Sequence, residues 1–359
     1  MRLAVLDIGS NSAQLQVVDA SSGAPPLPAH AVKEPTLLAE ELLPDGTLSA
    51  TGIDRVAGAV GRAVDAAVRL GVDHLYPFVT AAVRDAANRD AVIDRVEAEA
   101  GVRPQFLSGE DEAGLTYFAA RRWYGWSAGR LLLVDIGGGS MELALGRDVE
   151  PELAVSLPVG AGRMTRELLT EDPPPPRQLK AVRKRARETL SEVLDRLRWE
   201  GGPRRVVVTS KTFKQLARLA GAPPQRKGPF ARRELKLADL RKQLTKLAAV
   251  PAAERARFRG VSRSRARQIV AGAVVAEATL TALDVTSVEV CPWALREGIL
   301  LRHLEDVADT AALPLQPLAR RPSATVRRLP TAHGATEPGP STVESAGTPE
   351  ERASGREDG

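Results

Sequence analysis

The sequence predicts an α/β protein of two related domains with a ligand cleft between them. Three observations carry this expectation. The chain has 359 residues, enough for two domains rather than one. Short apolar runs that read as strands alternate with longer segments of helical periodicity. The segment Val5-Leu-Asp-Ile-Gly-Ser-Asn-Ser12 returns 128 residues later as Leu133-Val-Asp-Ile-Gly-Gly-Gly-Ser140, so the chain reads as two copies of one unit.

Taken in order, Leu3–Leu6 is a strand ending at Asp7; a Gly-Ser-Asn-Ser turn leads to a second strand from Gln14 to Val18, and Ser21–Pro28 is a Ser/Gly/Pro loop. Val56, Val60, Val64 and Val68 recur four apart, which predicts an amphipathic helix over 53–70 closed by Gly71. Leu75–Thr80 reads as a strand and Asp90–Ala100 as a helix ended by Gly101. Leu131–Val134 is a wholly apolar strand ending at Asp135, followed by a Gly-Gly-Gly-Ser turn and strands at Met141–Leu145 and Glu152–Leu157. Pro173–Pro176 stops the chain and opens a helix over Gln178–Trp199, with Leu179, Val182, Ala186, Leu190, Val193 and Leu197 on one face. Arg205–Thr209 is a strand, 235–248 a helix, Arg265–Leu283 an Ala-rich helix and Ser287–Cys291 a buried strand. Past about Asp306 the apolar periodicity stops, and the Pro, Ser, Thr, Gly and Arg composition predicts a disordered tail over 307–359.

The chemistry of the repeated unit is specific. A carboxylate at a strand's end sits at the mouth of the sheet, and the glycines after it let backbone N–H groups approach a ligand and form an anion nest. Asp7 and Asp135 repel a bare phosphate, so each becomes useful by holding Mg²⁺ or Mn²⁺ against one. Two such turns facing each other would clamp a polyphosphate. No Gly-Lys-Ser/Thr follows either turn, which excludes a Walker A loop, and a strand rather than a helix follows the glycines, which excludes the dinucleotide fingerprint.

Composition narrows the class further. Aromatic residues are scarce at 4%, so the cores are expected to be built of Val, Leu, Ile and Ala. The lone Cys291 excludes an intrachain disulfide framework and suits a reducing compartment. No signal-peptide pattern and no membrane-length apolar run is evident, so a cytoplasmic protein without membrane attachment is expected. His30, His74, His303 and His333 show no ligand spacing and receive no role. Charge is unevenly divided: residues 1–160 carry 13 Lys and Arg against 22 Asp and Glu, whereas 161–307 carry 31 against 16. The basic half attracts polyanions. It lacks interleaved aromatics and any nucleic-acid reader motif, which ranks nucleic acid last among them.

These segments, in series, resemble the exopolyphosphatase and guanosine pentaphosphate phosphohydrolase (Ppx/GppA) family of the actin, hexokinase and Hsp70 (ribonuclease H-like) fold superfamily. The resemblance rests on Asp7-Ile-Gly-Ser-Asn-Ser12, Thr80-Ala-Ala-Val-Arg-Asp-Ala-Ala-Asn88, Ser108-Gly-Glu-Asp-Glu-Ala113, Asp135-Ile-Gly-Gly-Gly-Ser-Met-Glu142, Thr209-Ser-Lys-Thr-Phe213 and Leu295-Arg-Glu-Gly298. It implies an actin-like domain over 1–120 with the first phosphate turn, a second over 121–306 with the other, and a last helix that packs back on the first. It implies Glu112 as the catalytic glutamate that deprotonates water and Arg84 as the active-site arginine. Ser10, Asn11 and Ser12, with Gly137, Gly138, Gly139 and Ser140, would bind phosphate. Asp135 and Asp7 would hold the Mg²⁺ or Mn²⁺. Outside the resemblance Glu112 reads as an acidic helix start, Arg84 as a surface arginine, and Glu142 as either a supporting carboxylate or an ordinary strand residue. Arg265 and Arg267 read as either lining the basic substrate path or facing solvent, with solvent preferred, and Arg296 and Glu297 as a structural pair in preference to a substrate contact.

The chain departs from the pattern at Lys211, where much of the family has glycine; this weakens guanosine pentaphosphate, a stringent-response nucleotide, as substrate. Longer members carry a helical C-terminal module with no counterpart here, so short polyphosphates are expected. The short form resembles actinobacterial members. Exopolyphosphatase is thus the leading reading. Pentaphosphate phosphohydrolase, a kinase-like ATPase and a non-catalytic polyphosphate- or nucleotide-binding regulator are the competitors, and a homodimer is left open.

Overall fold

The computed structural model describes residues 1–21, 24–38, 41–199 and 202–308. The expected tail falls outside them from residue 309 on. One strand pattern is laid down twice. β1 (Arg2–Ile8), β2 (Ser12–Asp19) and β3 (His30–Pro35) form an antiparallel meander. After α1 (Ala50–Arg69), β4 (His74–Val79) returns parallel to β1. After α2 (Ala81–Arg84) and α3 (Arg89–Ala100), β5 (Gln105–Phe106) adds parallel to β4. The sheet order is β3-β2-β1-β4-β5.

α4 (Gly109–Tyr124) leads to the second meander, β6 (Leu131–Ile136), β7 (Met141–Gly146) and β8 (Leu153–Leu157). α5 (Ala161–Leu168) and α6 (Pro176–Trp199) carry the chain to β9 (Arg205–Thr209), parallel to β6. Then follow α7 (Ser210–Leu219), β10 (Glu234–Lys236), α8 (Leu237–Ala248), α9 (Ala252–Arg255), α10 (Ile269–Ala282), β11 (Ser287–Val290) and α11 (Leu295–Ala308). Read as β8-β7-β6-β9-β11, the second sheet repeats the order of the first, with β10 added on its edge.

Strand alternation decides what each face meets. Ala4, Leu6 and Ile8 of β1 bury against Val56, Val60 and Ala63 of α1 and Val92 and Val96 of α3. Leu3 and Val5 point the other way, onto Ile299 and Leu300 of α11. In β6, Leu132, Val134 and Ile136 join the core of α6, α8 and α10, while Leu131 and Leu133 meet Ala113, Tyr117 and Ala120 of α4. Strands covered on both faces read as continuous apolar runs, which is why they were legible. α4 and α11 cross so closely that a Cβ on Gly298 would lie 2.0 Å from the Leu115 carbonyl oxygen. The glycine of Leu295-Arg-Glu-Gly298 therefore has a packing reason.

The valine stripe of α1 holds only in part. Val56 and Val60 are buried, Val64 is half-buried, and Val68 is 74% exposed. Residues four apart drift by about 40° per step on a helix of 3.6 residues per turn, so the fourth valine has left the buried face, which Ala59, Ala63, Ala66 and Ala67 complete. In α6 the stripe Val182, Ala186, Leu190, Val193, Leu197 includes one step of three, cancelling the drift, and all five are buried.

Candidate active site

Both turns leave their sheets at the same register: Asp7 lies opposite Gln14 and Asp135 opposite Glu142. Gly9 donates its N–H to the Ser12 carbonyl at 3.2 Å, and Gly137 to that of Ser140 at 2.9 Å. The second turn is gripped from behind by the start of α5. There the N–H groups of Gly160, Ala161 and Arg163 donate to the carbonyls of Gly139 (3.3 Å), Gly137 (3.0 Å) and Gly138 (2.9 Å). These contacts use the orphan donors of a helix N-terminus. Among the described residues the N–H groups of Ser10, Asn11, Gly138, Gly139 and Ser140 donate to no protein acceptor. With carbonyls engaged and N–H groups left over, each turn has the makings of an anion nest. The two turns meet, because a Cβ on Gly138 would come within 2.6 Å of Ser10 Oγ.

A cavity of about 330 Å³ lies between them, and Glu112 and Glu142 line it along with Asp7 and Asp135. Glu112 stands in the first turn of α4, whose N-cap Ser108 forms a reciprocal capping box with Asp111. That cap serves the helix without Glu112, which is 7% exposed and accepts 2.5 Å from Arg84 Nη1. Arg84 also donates from Nη1 to the Leu107 carbonyl at 3.0 Å and sits just behind Glu112 rather than in the cavity lining. Burial and then Glu142 push the Glu112 carboxyl well above the usual range, with Arg84 opposing. Burial also raises Asp7 and Asp135; Thr209 Oγ1, donating at 2.5 Å, partly offsets this at Asp135. Glu142, which accepts from Ser156 Oγ at 2.9 Å, is pushed up to about 7 by burial and by Asp135.

The Glu142 carboxyl thus titrates near 4.5 when unfolded and about 7 when folded. Its charging opposes the fold as pH rises through that interval. We expect Glu142→Gln to melt a few degrees above the parent at pH 8, for a relief of about 1–3 kcal/mol. The gap should close towards pH 4.5. Thermal melts in metal-free buffer at both pH values check this.

Facing the acids, Lys33 of β3, Lys211 and Lys214 of α7, Arg265 before α10 and Arg296 of α11 line the same cavity. Burial and the surrounding Lys33, Arg265, Lys214 and Arg296 push the Lys211 amine down. Ser210, also lining the cavity, turns the chain into α7 with φ 79°, a strained backbone of the kind found at functional sites. Arg265 therefore faces the cleft rather than open solvent, whereas Arg267 is exposed. Arg296 and Glu297 do not pair: Arg296 donates to Gln14 Oε1 at 3.3 Å, while Glu297 accepts from Gln16 Nε2 and the Ala294 N–H. Side chains next to each other on a helix diverge by about 100°, so one reaches the cavity and the other caps its own helix.

The structure thus brings Asp7, Ser10, Asn11, Ser12, Glu112, Asp135, Gly137, Gly138, Gly139, Ser140 and Glu142 to one cavity, with Arg84 bonded to Glu112. The sequence marks Lys211 as the departure from the family's glycine and Arg296 within the Leu295-Arg-Glu-Gly298 motif, whereas only the basic excess over 161–307 points to Lys214, and nothing local points to Lys33 in the acidic half.

The family model for the Ppx/GppA phosphatase family matches residues 17–307. Exopolyphosphatase 1 of Mycobacterium tuberculosis is 48% identical over 87% of this chain and 91% of its own length, and that of Mycobacterium leprae is 47% identical over 87% and 92%. Among solved structures, an exopolyphosphatase from Cytophaga hutchinsonii shares the fold, with TM-score 0.78 and 23% identity over 85% of this chain and 98% of that one. The Aquifex aeolicus Ppx/GppA family member gives TM-score 0.70 and 25% identity over 87% and 99%. The fold is the actin-like α/β architecture of two mixed sheets, with the cavity between their glycine turns. The chain belongs to the Ppx/GppA phosphatase family.

Proposed function

We propose that the chain is an exopolyphosphatase that releases orthophosphate from the end of inorganic polyphosphate, with short chains preferred. One observation carries the reading: a buried glutamate held by an arginine stands beside two facing glycine turns in which the N–H groups of Ser10, Asn11, Gly138, Gly139 and Ser140 have no acceptor among the described residues. The 48% identity to Exopolyphosphatase 1 over most of both chains supports it.

In this reading Glu112 takes a proton from the attacking water, and burial, by raising its carboxyl, makes it a stronger base than a free carboxylate. The water oxygen bonds to the terminal phosphorus as the bridging P–O bond breaks, and the shortened chain departs with the bridging oxygen. Ser10, Asn11, Ser12 and Gly137, Gly138, Gly139, Ser140 hold phosphate oxygens, and Arg84 orients Glu112. The cationic wall of Lys211, Lys214, Arg265, Arg296 and Lys33 receives the inner phosphates. Phosphoryl transfer needs such positioning and charge neutralisation more than covalent help.

The donor set fits a hard divalent cation. Among the described residues no three His, Cys, Asp or Glu side chains form a metal cage, and Mg²⁺ typically takes one or two carboxylates plus substrate phosphates. Asp7 and Asp135 would hold it, and Mg²⁺ or Mn²⁺ would neutralise charge on the phosphates when bound. Asp135→Asn is expected to raise the Mg²⁺ concentration for half-maximal activity about tenfold or more, the scale of one lost charged ligand. An unchanged Mg²⁺ titration would remove Asp135 from the metal site.

No helix of the described residues is long and apolar enough to cross a membrane. The buried free Cys291 suits the cytoplasm in which we place the enzyme. Guanosine pentaphosphate is the second reading; Lys211 in the cavity, where the nucleotide-binding pattern has glycine, disfavours it. Orthophosphate release from short polyphosphate, long polyphosphate, guanosine pentaphosphate and ATP, each with Mg²⁺, decides between them. Preference for very long chains would overturn the short-chain assignment, and release from the nucleotide alone would overturn the substrate.

A further inference from the structure

We propose that Arg163 and Asp85 are positioning residues that set the Arg84 guanidinium, and through it Glu112, from the second phosphate turn. Arg163 is tied to that turn twice, by its main-chain N–H on the Gly138 carbonyl and by Nε on the Gly139 carbonyl, each at 2.9 Å. Its Nη2 then reaches Asp85 Oδ2 at 2.7 Å. Arg163 belongs to α5 beside the second sheet, and Asp85 follows α2 beside the first, so the pair spans the cleft. The other oxygen, Asp85 Oδ1, accepts from Arg84 Nε at 3.1 Å, and Arg84 Nη1 binds Glu112 and the Leu107 carbonyl.

Bonds at both Nε and Nη1 fix the rotation of a planar guanidinium. With the guanidinium set in this way, its Nη1 holds the Glu112 carboxylate in one orientation at the cavity. The side chains of Arg163 and Asp85 are 26% and 39% exposed. A pair this open contributes little to folding, whereas a small misplacement of a reacting group costs about 100-fold in rate. Loss of the pair should therefore be felt in turnover and not in stability.

The inference rests on the reading of Glu112 as the base, and the experiment separates the two. Arg163→Met, Asp85→Asn, their double variant and Arg163→Lys are assayed on the full chain for kcat and KM with short polyphosphate, alongside Glu112→Gln. Each of the first two is expected to lower kcat about 10- to 100-fold, with KM within about threefold and a melting temperature near the parent's. The double variant should be no worse than the worse single, because both break one chain of contacts. Arg163→Lys should recover part of the loss. Multiplicative losses in the double variant, kcat within about twofold of the parent, or a rise in KM alone would overturn the assignment. Should Glu112→Gln keep its turnover while the coupled losses persist, the base reading falls and the positioning of Arg84 stands. Should Glu112→Gln be inactive while the other variants match the parent, the positioning falls and the base reading stands.

Discussion

Glu112→Gln is expected to abolish phosphate release and leave polyphosphate binding intact. The substitution keeps the volume of a side chain that is 7% exposed, and the amide oxygen can still accept from Arg84 Nη1. The helix start does not depend on it, because Ser108 and Asp111 supply the cap. Burial and Glu142 already oppose its charge, so the fold loses no favourable ionisation when the carboxylate goes. What disappears is the ability to accept a proton from water, and general-base catalysis is worth about 10²–10⁴-fold. The kcat should fall by at least that much, while the dissociation constant measured by calorimetry stays within about threefold. Equal loss of binding and turnover would instead make Glu112 a structural residue or a metal ligand.

Strands and turns were legible in the sequence because burial on both faces imposes apolar runs and the Asp-Ile-Gly turns interrupt them. Leu131–Val134 and Arg205–Thr209 sit inside or match observed strands for that reason. Helices that border the cavity were harder to read. α7 places Thr212, Phe213 and Leu216 in the core but presents Lys211 and Lys214 to the cleft, so its apolar pattern is interrupted by residues that line the cavity. α11 is divided in the same way between a buried Ile299-Leu300 face and Arg296 in the cavity. Edge strand β3, half-exposed and carrying His30, Lys33 and Glu34, has no apolar run to announce it.

Charge could be read for a region but not residue by residue, for a different reason. Arg265 and Arg267 are chemically equivalent in the sequence, and only the path of the chain before α10 puts one at the cavity and the other in solvent. Contacts such as Gln14 with Arg296 and Gln16 with Glu297 join residues about 280 positions apart. No local pattern encodes them, because they arise when α11 returns to cover β1.

Gly160→Ala is expected to damage activity and stability together, because this residue lies against the backbone of the second phosphate turn. A Cβ there would sit 2.4 Å from both the Gly139 carbonyl carbon and the Ser140 nitrogen, and 2.7 Å from the Gly138 carbonyl carbon. These are main-chain atoms, so no side chain can swing aside. The backbone at 160 is in the ordinary extended region (φ −68°, ψ 154°), so the demand for glycine is one of space alone. To admit the methyl, the start of α5 must withdraw from the turn, stretching the bonds to the carbonyls of Gly137, Gly138 and Gly139. Overpacking of this kind costs about 1–3 kcal/mol, read as a drop of several degrees in melting temperature. The same shift moves the N–H groups of Gly138, Gly139 and Ser140 away from where the substrate's phosphate would lie, and an ångström there costs about 100-fold in rate. Phosphate release and thermal melts on the one variant therefore separate two cases. A destabilised protein that keeps the parent's kcat would mean that the second turn does not hold the reacting phosphate. Loss of both would tie the Gly160 contact to the geometry of catalysis.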